Sequence, residues 1–263
     1  MEIPESRILL TGAAGGIGQA VARELAARGG RVALVDRNRE PLEALAAELG
    51  EPAVAVAADL LDPAGREACL AEARERLGGI DCLVNLAGVL SFRPFAEEAP
   101  ETLERLLQLN TVVPILLTRA CLPAMLERGR GWIVNVGSTF GSIGFAYFAA
   151  YSASKGALHA FSEALRRELA ETGVGVTYVA PRAVRTPLNA GAVMRMAEAV
   201  KMRMDEPEWV ARRIVEALAR GDGERFLGFP ESLFVRINGL WPRLVDRALR
   251  KQNRVMAAFA RGA

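Results

Sequence analysis

The feature that most constrains the fold is a regular alternation of short apolar runs with longer amphipathic segments. Seven apolar runs of strand length occupy residues 7–11, 31–35, 53–58, 80–86, 132–136, 174–179 and 224–229. The segments between most of them have helical spacing. Strands separated by helices form a parallel sheet with helices on both faces, because parallel neighbours need a long crossover connection. The sequence predicts one α/β domain built on a doubly wound parallel sheet of about seven strands.

The composition supports one globular domain and disfavours several function classes. Hydrophobic residues make up 51% of the 263 residues, so a large core is available. The net charge of +2 is too small to indicate a nucleic-acid partner. With one histidine, His159, the chain has almost no material for a histidine metal site or a Ser-His-Asp triad. We therefore expect no metal site.

Location is predicted from the cysteines and from apolar segments. Cys69, Cys82 and Cys121 are scattered without metal-ligand spacing and are expected to be reduced and buried. The N-terminal residues do not have the pattern of a secretory signal, and no apolar run is expected to reach the roughly 18 residues of a membrane span. These features predict a cytoplasmic protein.

A glycine-rich turn follows the first apolar run. Residues 11–18 read Thr-Gly-Ala-Ala-Gly-Gly-Ile-Gly, and a helical pattern continues to about residue 28. Glycines let the backbone approach a pyrophosphate, while the free N–H groups and the dipole of the helix favour the anion. An isolated glycine cluster is equally typical of a tight turn. Its place in a strand–turn–helix–strand unit favours a dinucleotide site.

Two carboxylates follow the next two strands. Asp36 can accept hydrogen bonds from the adenosine ribose and repels a 2′-phosphate, which favours NAD over NADP. Arg37 beside it would favour the phosphate, so NADP stays open. Asp59 could face the adenine edge, or it could cap the helix that begins near Pro63.

A tyrosine and a lysine lie one helical turn apart in an alanine-rich segment. Tyr151 and Lys155 have i, i+4 spacing, so both side chains should share one helix face. A neighbouring positive charge lowers the pKa of a phenol, and that makes a tyrosine usable as an acid or base. A solvated helix face is the alternative explanation of this spacing.

Three motifs in this order resemble those of the classical short-chain dehydrogenase/reductase family. Residues 11–18 resemble its Thr-Gly-x-x-x-Gly-x-Gly loop, and residues 85–88 (Asn-Leu-Ala-Gly) are similar to its Asn-Asn-Ala-Gly motif. Residues 181–186 (Pro-Arg-Ala-Val-Arg-Thr) resemble Pro-Gly-x-Val-x-Thr. The resemblance covers roughly residues 7–230 and implies a Rossmann-type domain that binds a nicotinamide cofactor.

Asn110, Ser138, Tyr151 and Lys155 fall where the catalytic tetrad of this family falls. The resemblance implies that Tyr151 is the general acid/base and that Ser138 holds the substrate oxygen. It implies that Lys155 binds the nicotinamide ribose and lowers the tyrosine pKa. Asn110 would bend its helix and hold a water that links Lys155 to solvent.

The resemblance also implies which residues contact the cofactor. Val184 and Thr186 would lie on the carboxamide side of the nicotinamide. The full predicted set is Gly12, Ala14, Gly16, Ile17, Gly18, Asp36, Arg37, Asp59, Leu60, Asn85, Ala87, Gly88, Tyr151, Lys155, Pro181, Val184 and Thr186.

Two residues depart from the family motifs. Leu86 replaces the second asparagine, at the cost of one local hydrogen bond. Arg182 replaces a glycine at the nicotinamide wall and should reshape it. With Arg185 it could instead bind an anionic substrate or a cofactor phosphate, and two solvated arginines are an equal alternative.

The last third of the chain contains two further segments. Residues 186–208 are rich in methionine, which suits a lid over an irregular apolar ligand, although packing of this loop on its own domain explains them as well. Residues 231–263 form a basic amphipathic extension of the domain at 1–230. The extension could pack on the domain, on a partner subunit or on a membrane surface.

The leading functional hypothesis is an NAD-dependent oxidoreductase acting on a hydrophobic secondary alcohol or ketone. An NADPH-dependent 3-oxoacyl reductase is the second enzymatic hypothesis. A non-enzymatic dinucleotide-sensing or membrane-docking protein is the third, and the complete tetrad argues against it. The resemblance further implies a homodimer or homotetramer.

Overall fold

Residues 1–261 are described by a computed structural model, and within them seven strands form one sheet. The strand order is β3-β2-β1-β4-β5-β6-β7, and every neighbouring pair is parallel. The predicted doubly wound, seven-stranded parallel sheet is confirmed. The strands are β1 (Arg7–Thr11), β2 (Arg31–Asp36), β3 (Val54–Ala57), β4 (Cys82–Asn85), β5 (Gly131–Val136), β6 (Val174–Ala180) and β7 (Glu224–Phe226).

Helices cover both faces of the sheet. On one face α1, α2 and α8 pack on the strands, and on the other α3, α5 and α6 do so. Described in chain order, the helices are α1 (Gly16–Ala27), α2 (Arg39–Leu49), α3 (Pro63–Leu77), α4 (Pro100–Leu107), α5 (Val113–Glu127), α6 (Ala149–Glu168), α7 (Ala192–Ala199), α8 (Pro207–Arg220), α9 (Glu231–Leu240) and α10 (Pro242–Ala260).

The strand β1 shows how the sequence builds the two core layers. Ile8 and Leu10 belong to the apolar layer under α1 and α8, whereas Leu9 belongs to the layer on the other face. Successive side chains of a strand point to opposite faces, so a central strand of a covered sheet must be apolar throughout. All three side chains are fully buried.

The strand order also fixes where a ligand can bind. The chain runs from β1 outward to β3 and then returns to place β4 on the other side of β1. Loops after β1 and β4 therefore leave in opposite directions and open a crevice at the carboxyl ends of the strands. The glycine-rich turn and residues 86–89 meet at this crevice.

The helical segment that contains Asn110 is interrupted. A single π turn at Gln108–Val112 separates α4 from α5, and Asn110 lies within it. The segment Pro100–Glu127 has the length and hydropathy of a membrane span, contrary to the expectation that no segment does. Leu117, Cys121 and Met125 in α5 are buried against the sheet, which is typical of a core helix.

The C-terminal extension forms two helices, α9 and α10, with Trp241 between them. The helix α10 packs against α9 and α7. Its Met256 and Ala260 join an apolar cluster with Phe148 and Met196. The extension is thus anchored to the domain at its end, within the part of residues 231–263 that the structure describes.

Candidate active site

The glycine-rich turn comes into direct contact with the loop after β4. Gly12 has a φ of +72°, a conformation that L side chains rarely adopt, and a Cβ there would lie 2.8 Å from the Ala87 backbone. The first turn of α1 carries no acidic side chain. Its unpaired N–H groups and the helix dipole can therefore receive an anion at the crevice.

A groove of about 540 Å³ runs along the crevice, within the size range of small-molecule sites, roughly 300–1,000 Å³. It brings together most of the residues predicted to bind the cofactor. Those that line it are Gly12, Ala14, Gly16, Ile17, Asp36, Arg37, Asp59, Leu60, Ala87, Gly88 and Thr186.

Asp36 stands at the end of β2 and supports the glycine-rich turn. One carboxylate oxygen accepts from the Ala14 N–H at 3.3 Å, and the other accepts from the Asn38 N–H at 3.2 Å. Both oxygens keep lone pairs for a ribose hydroxyl at the groove. Arg37 lines the groove beside it.

Asp59 also lines the groove, and it does not cap α3. Its carboxylate accepts from the Leu61 N–H at 2.9 Å, in a turn after β3. The N-cap of α3 is Asp62, which accepts from the N–H groups of Ala64 and Gly65. The capping explanation of Asp59 is therefore wrong, because the cap lies three residues further on.

Ser138, Tyr151 and Lys155 line a second pocket next to the groove. Ser138 follows β5, while Tyr151 and Lys155 lie one turn apart on α6. The Lys155 ammonium lies 6.0 Å from the centroid of the Tyr151 ring and donates to the Val136 carbonyl at 3.1 Å. Pro181 and Val184 belong to the same pocket.

Asn110 lies behind this pocket and is fully buried. Its Oδ1 accepts from the Val89 N–H at 2.9 Å, and its Nδ2 donates to the Val89 carbonyl at 2.8 Å and to Ser154 Oγ at 3.1 Å. A Cβ on Gly88 would lie 3.1 Å from Asn110 Oδ1 and 3.5 Å from Lys155 Nζ. The π turn therefore lets Asn110 join the loop after β4 to α6.

The pKa values of the pair differ from the sequence-based expectation. Burial raises the pKa of Tyr151 to about 12, and a hydrogen bond with Ser138 only partly opposes this. Burial also lowers the pKa of Lys155 to about 8. The expected lowering of the tyrosine pKa does not occur, because desolvation is the largest cause of the shift and only the Ser138 hydrogen bond opposes it.

The second pocket is largely apolar and has a volume of about 100 Å³. Phe140 and Phe148 pack edge-on against the Tyr151 ring, with centroids 6.4 and 6.5 Å away. Met196 and Met202 close the pocket from the lid. The volume lies below the roughly 300 Å³ of ordinary ligand pockets, so a large substrate requires the lid to move.

Arg182 has a role that the sequence did not predict. Its guanidinium makes two hydrogen bonds to the Asp205 carboxylate, at 2.9 and 2.7 Å, and one to Glu231 at 2.8 Å. Arg182 therefore joins the base of the lid to α9. Arg185, by contrast, forms an exposed ion pair with Glu206.

Two of the predicted cofactor residues line neither pocket nor groove. Gly18 packs against the glycine-rich turn, where a Cβ would lie 2.0 Å from the Gly12 carbonyl oxygen. Asn85 is buried and donates to Asn135 Oδ1 at 2.8 Å, while Asn135 donates to Ser162 Oγ at 2.8 Å. The Asn85 amide thus connects β4, β5 and α6.

The remaining predictions concern metals and thiols. Among residues 1–261, no group of three or more His, Cys, Asp and Glu side chains is placed to hold a metal ion. Cys69, Cys82 and Cys121 are free and buried, as predicted. Burial raises the pKa of the Cys69 thiol to about 12 and that of the Cys121 thiol to about 11, so neither is a reactive thiolate.

Comparison with known proteins identifies the family. The family model described as "short chain dehydrogenase" matches residues 6–196. The dehydrogenase/reductase SDR family member 7B of Bos taurus is 33% identical over 264 residues, covering 94% of this chain and 81% of that protein. The NADP-dependent 3-hydroxy acid dehydrogenase YdfG of Salmonella typhi is 38% identical over 175 residues, covering 66% and 71%.

A solved structure is similar as well. The 3-ketoacyl-(acyl-carrier-protein) reductase from Brucella melitensis, complexed with NADH, superposes with a TM-score of 0.78 at 30% identity. The match covers 85% of this chain and 96% of that one. The groove, the adjoining pocket and these matches define a class of oxidoreductase that uses a nicotinamide cofactor. The chain belongs to the classical short-chain dehydrogenase/reductase family.

Proposed function

We propose that this protein is an NAD(H)-dependent oxidoreductase that interconverts a hydrophobic secondary alcohol and its ketone. One observation carries the proposal: Tyr151, Ser138 and Lys155 line an apolar pocket directly beside a dinucleotide-sized groove. Polar hydroxyls in an otherwise apolar pocket suit a substrate with one reacting oxygen and an apolar body.

Each residue of the pocket has a separate task. Ser138 donates a hydrogen bond to the substrate oxygen and fixes its position. In ketone reduction Tyr151 gives the hydroxyl proton to that oxygen, and in alcohol oxidation it takes the proton back. A nicotinamide held in the groove would supply or take up the hydride at the substrate carbon. The apolar walls exclude water from the reacting atoms.

Lys155 supports this chemistry through charge. Its ammonium lies beside the phenol ring and would also reach the ribose of a dinucleotide in the groove. A protonated Lys155 favours the phenolate over the phenol, because opposite charges attract strongly in a desolvated pocket. That attraction would favour loss of the Tyr151 proton, against the desolvation that raises its pKa.

A second candidate is an NADPH-dependent 3-oxoacyl reductase. Arg37 lines the groove next to Asp36, where it could contact a 2′-phosphate. The Salmonella relative is named as NADP-dependent, and the Brucella neighbour is named as a 3-ketoacyl reductase. We favour NAD because the Asp36 carboxylate lies at the end of β2 and would repel that phosphate.

Turnover of a panel of secondary alcohols and ketones with NAD(H) and with NADP(H) tests this proposal. The wild-type protein should prefer NAD(H), and Asp36→Ser should shift the ratio of kcat/KM values toward NADP(H) by about tenfold or more, since the repulsion is removed. Asp59→Ser, a second carboxylate of the groove, is the matched control and should leave the ratio unchanged. A wild-type preference for NADP(H) would favour the second candidate.

A further inference from the structure

Large apolar side chains are exposed at the corner where α9 meets α10. The exposed fraction is 71% for Leu240, 64% for Trp241 and 56% for Leu244. Together with Arg243 and Arg247 they surround one shallow depression of the surface. We call these five residues the α9–α10 corner. Contiguous exposed apolar side chains of this size mark an interaction surface.

The surroundings of the corner are strongly basic. Residues 231–261 contain seven arginine and lysine residues and only two acidic ones, a local net charge of +5. One of the two acids, Glu231, is already engaged by Arg182. Within residues 1–261, none of the cations of α10 forms an ion pair. Their positive charge is thus available to a partner.

The opposite side of α10 is occupied by the domain. Val245, Met256 and Ala260 are buried, and the helix packs against α7. The helix therefore has a docked face, while Trp241 and Leu244 at its beginning stay in solvent. A helix that served only to complete the core would have no reason to expose a tryptophan beside arginines.

We propose that the α9–α10 corner docks the protein on an anionic lipid bilayer. Tryptophan and leucine side chains insert at the boundary between headgroups and acyl chains, and flanking arginines bind anionic headgroups. A second copy of the chain fits less well. A twofold-symmetric contact would place two +5 segments against each other, and like charges in contact destabilise an interface.

The same helix reaches the substrate pocket. Met256 and Ala260 pack in one apolar cluster with Phe148, Val193 and Met196, and these last three residues line the pocket. The helix α10 thus connects the docking corner to the lid. Docking does not depend on the proposed substrate or on turnover, so vesicle binding can be measured without enzymatic activity.

Co-sedimentation of the full chain with vesicles tests the proposal. The wild-type protein should pellet with vesicles of phosphatidylglycerol and phosphatidylcholine, and remain in solution with phosphatidylcholine alone. Addition of about 0.5 M salt should weaken binding, because salt screens the headgroup contacts. Tryptophan emission should shift to shorter wavelength on binding, and Trp241→Phe should remove most of that shift.

Two double variants distinguish binding through the α9–α10 corner from a general effect of net charge. Arg243→Glu with Arg247→Glu should lower the vesicle partition coefficient at least about tenfold. Arg130→Glu with Arg212→Glu makes the same change in net charge on exposed residues outside the extension and should retain most of the binding. Equal binding of the two double variants, or no binding of the wild type, would contradict the proposal. If the wild type bound no vesicles and Trp241→Ser lowered the particle mass in sedimentation velocity, the corner would be an interface between copies of this chain.

Discussion

At the residue scale, the site rests on one buried lysine. Lys155 is 5% exposed, and its ammonium donates one hydrogen bond to a protein group, the Val136 carbonyl. Burial lowers the Lys155 pKa from 10.5 to about 8, so keeping the side chain charged in the folded protein lowers the free energy of unfolding. Such a cost is typical of a functional group, since a neutral side chain of the same length would pack more favourably.

The substitution Lys155→Met should therefore stabilise the protein in a pH-dependent way. Below pH 8 lysine is charged in both folded and unfolded states, and the burial penalty, about 3 kcal/mol from the pKa difference, is fully present. Between pH 8 and 10.5 the folded state loses the Lys155 proton before the unfolded state does, so the free energy of unfolding of the wild type rises with pH. The advantage of Lys155→Met should therefore become smaller over this range. Denaturant unfolding at pH 7 and near pH 10 measures this difference.

The control for this comparison is Lys251→Met, at an exposed position on α10. It should change the free energy of unfolding by no more than about 0.5 kcal/mol at either pH. An advantage of Lys155→Met that is the same at both pH values would show that packing, and not the buried charge, is responsible.

At the scale of elements, backbone and side-chain hydrogen bonds join the two ends of the lid at its base. Val184 forms a parallel bridge with Asp205, and the Arg185 N–H donates to the Asp205 carbonyl at 2.9 Å. Arg182 adds its two bonds to the Asp205 carboxylate and one to Glu231 on α9. The loop after β6, the lid and the C-terminal extension therefore meet at one guanidinium.

Loss of this guanidinium should affect both stability and substrate binding. The Arg182 and Asp205 side chains are 14% and 11% exposed, so Arg182→Gln leaves a carboxylate buried without its cation and should cost about 2–4 kcal/mol. The KM for the substrate should rise more than kcat falls, because the lid is less well fixed while Tyr151 is untouched. Guanidinium chloride unfolding and steady-state kinetics measure both effects.

The neighbouring Arg185→Gln is the matched control. Its ion pair with Glu206 is 54% and 64% exposed, and the expected change in stability is at most about 1 kcal/mol. Equal effects of the two substitutions would mean that Arg182 does not hold the lid base.

At the scale of the whole molecule, the sheet was predictable and several contacts were not. Apolar runs between helical segments predicted the central parallel strands, because a strand covered on both faces must be apolar. The edge strand β7 reads Glu-Arg-Phe with no buried residue, and it was predicted by its place after a glycine-rich turn. The Arg182 ion pairs could not be predicted, since Asp205 and Glu231 lie 23 and 49 residues further along the chain. The pKa of Tyr151 depends on burial by the lid and the aromatic cluster, which sequence spacing alone cannot give.

Asn85 shows a limit of motif-based prediction within a correct fold. Its motif is at the predicted place, yet the side chain points into the sheet toward Asn135 and α6, while residues 86–89 line the groove. Successive side chains of a strand point to opposite faces, so the residues that follow Asn85, and not Asn85 itself, reach the groove. The break at Trp241-Pro242 was likewise not predicted, although proline at a helix start is a known signal.

The central claim is that Tyr151 transfers the proton in a nicotinamide-dependent reaction. Turnover and cofactor binding of Tyr151→Phe, compared with Tyr147→Phe, test it most directly. Tyr147 packs edge-on against Phe92 in the apolar cluster that also contains Tyr151, so its substitution removes a hydroxyl without removing a proton donor of the site. Tyr151→Phe should lower kcat by about 10² to 10⁴, with the Kd for the cofactor within about threefold of wild type. Unchanged kcat in Tyr151→Phe, or equal loss in Tyr147→Phe, would contradict the assignment.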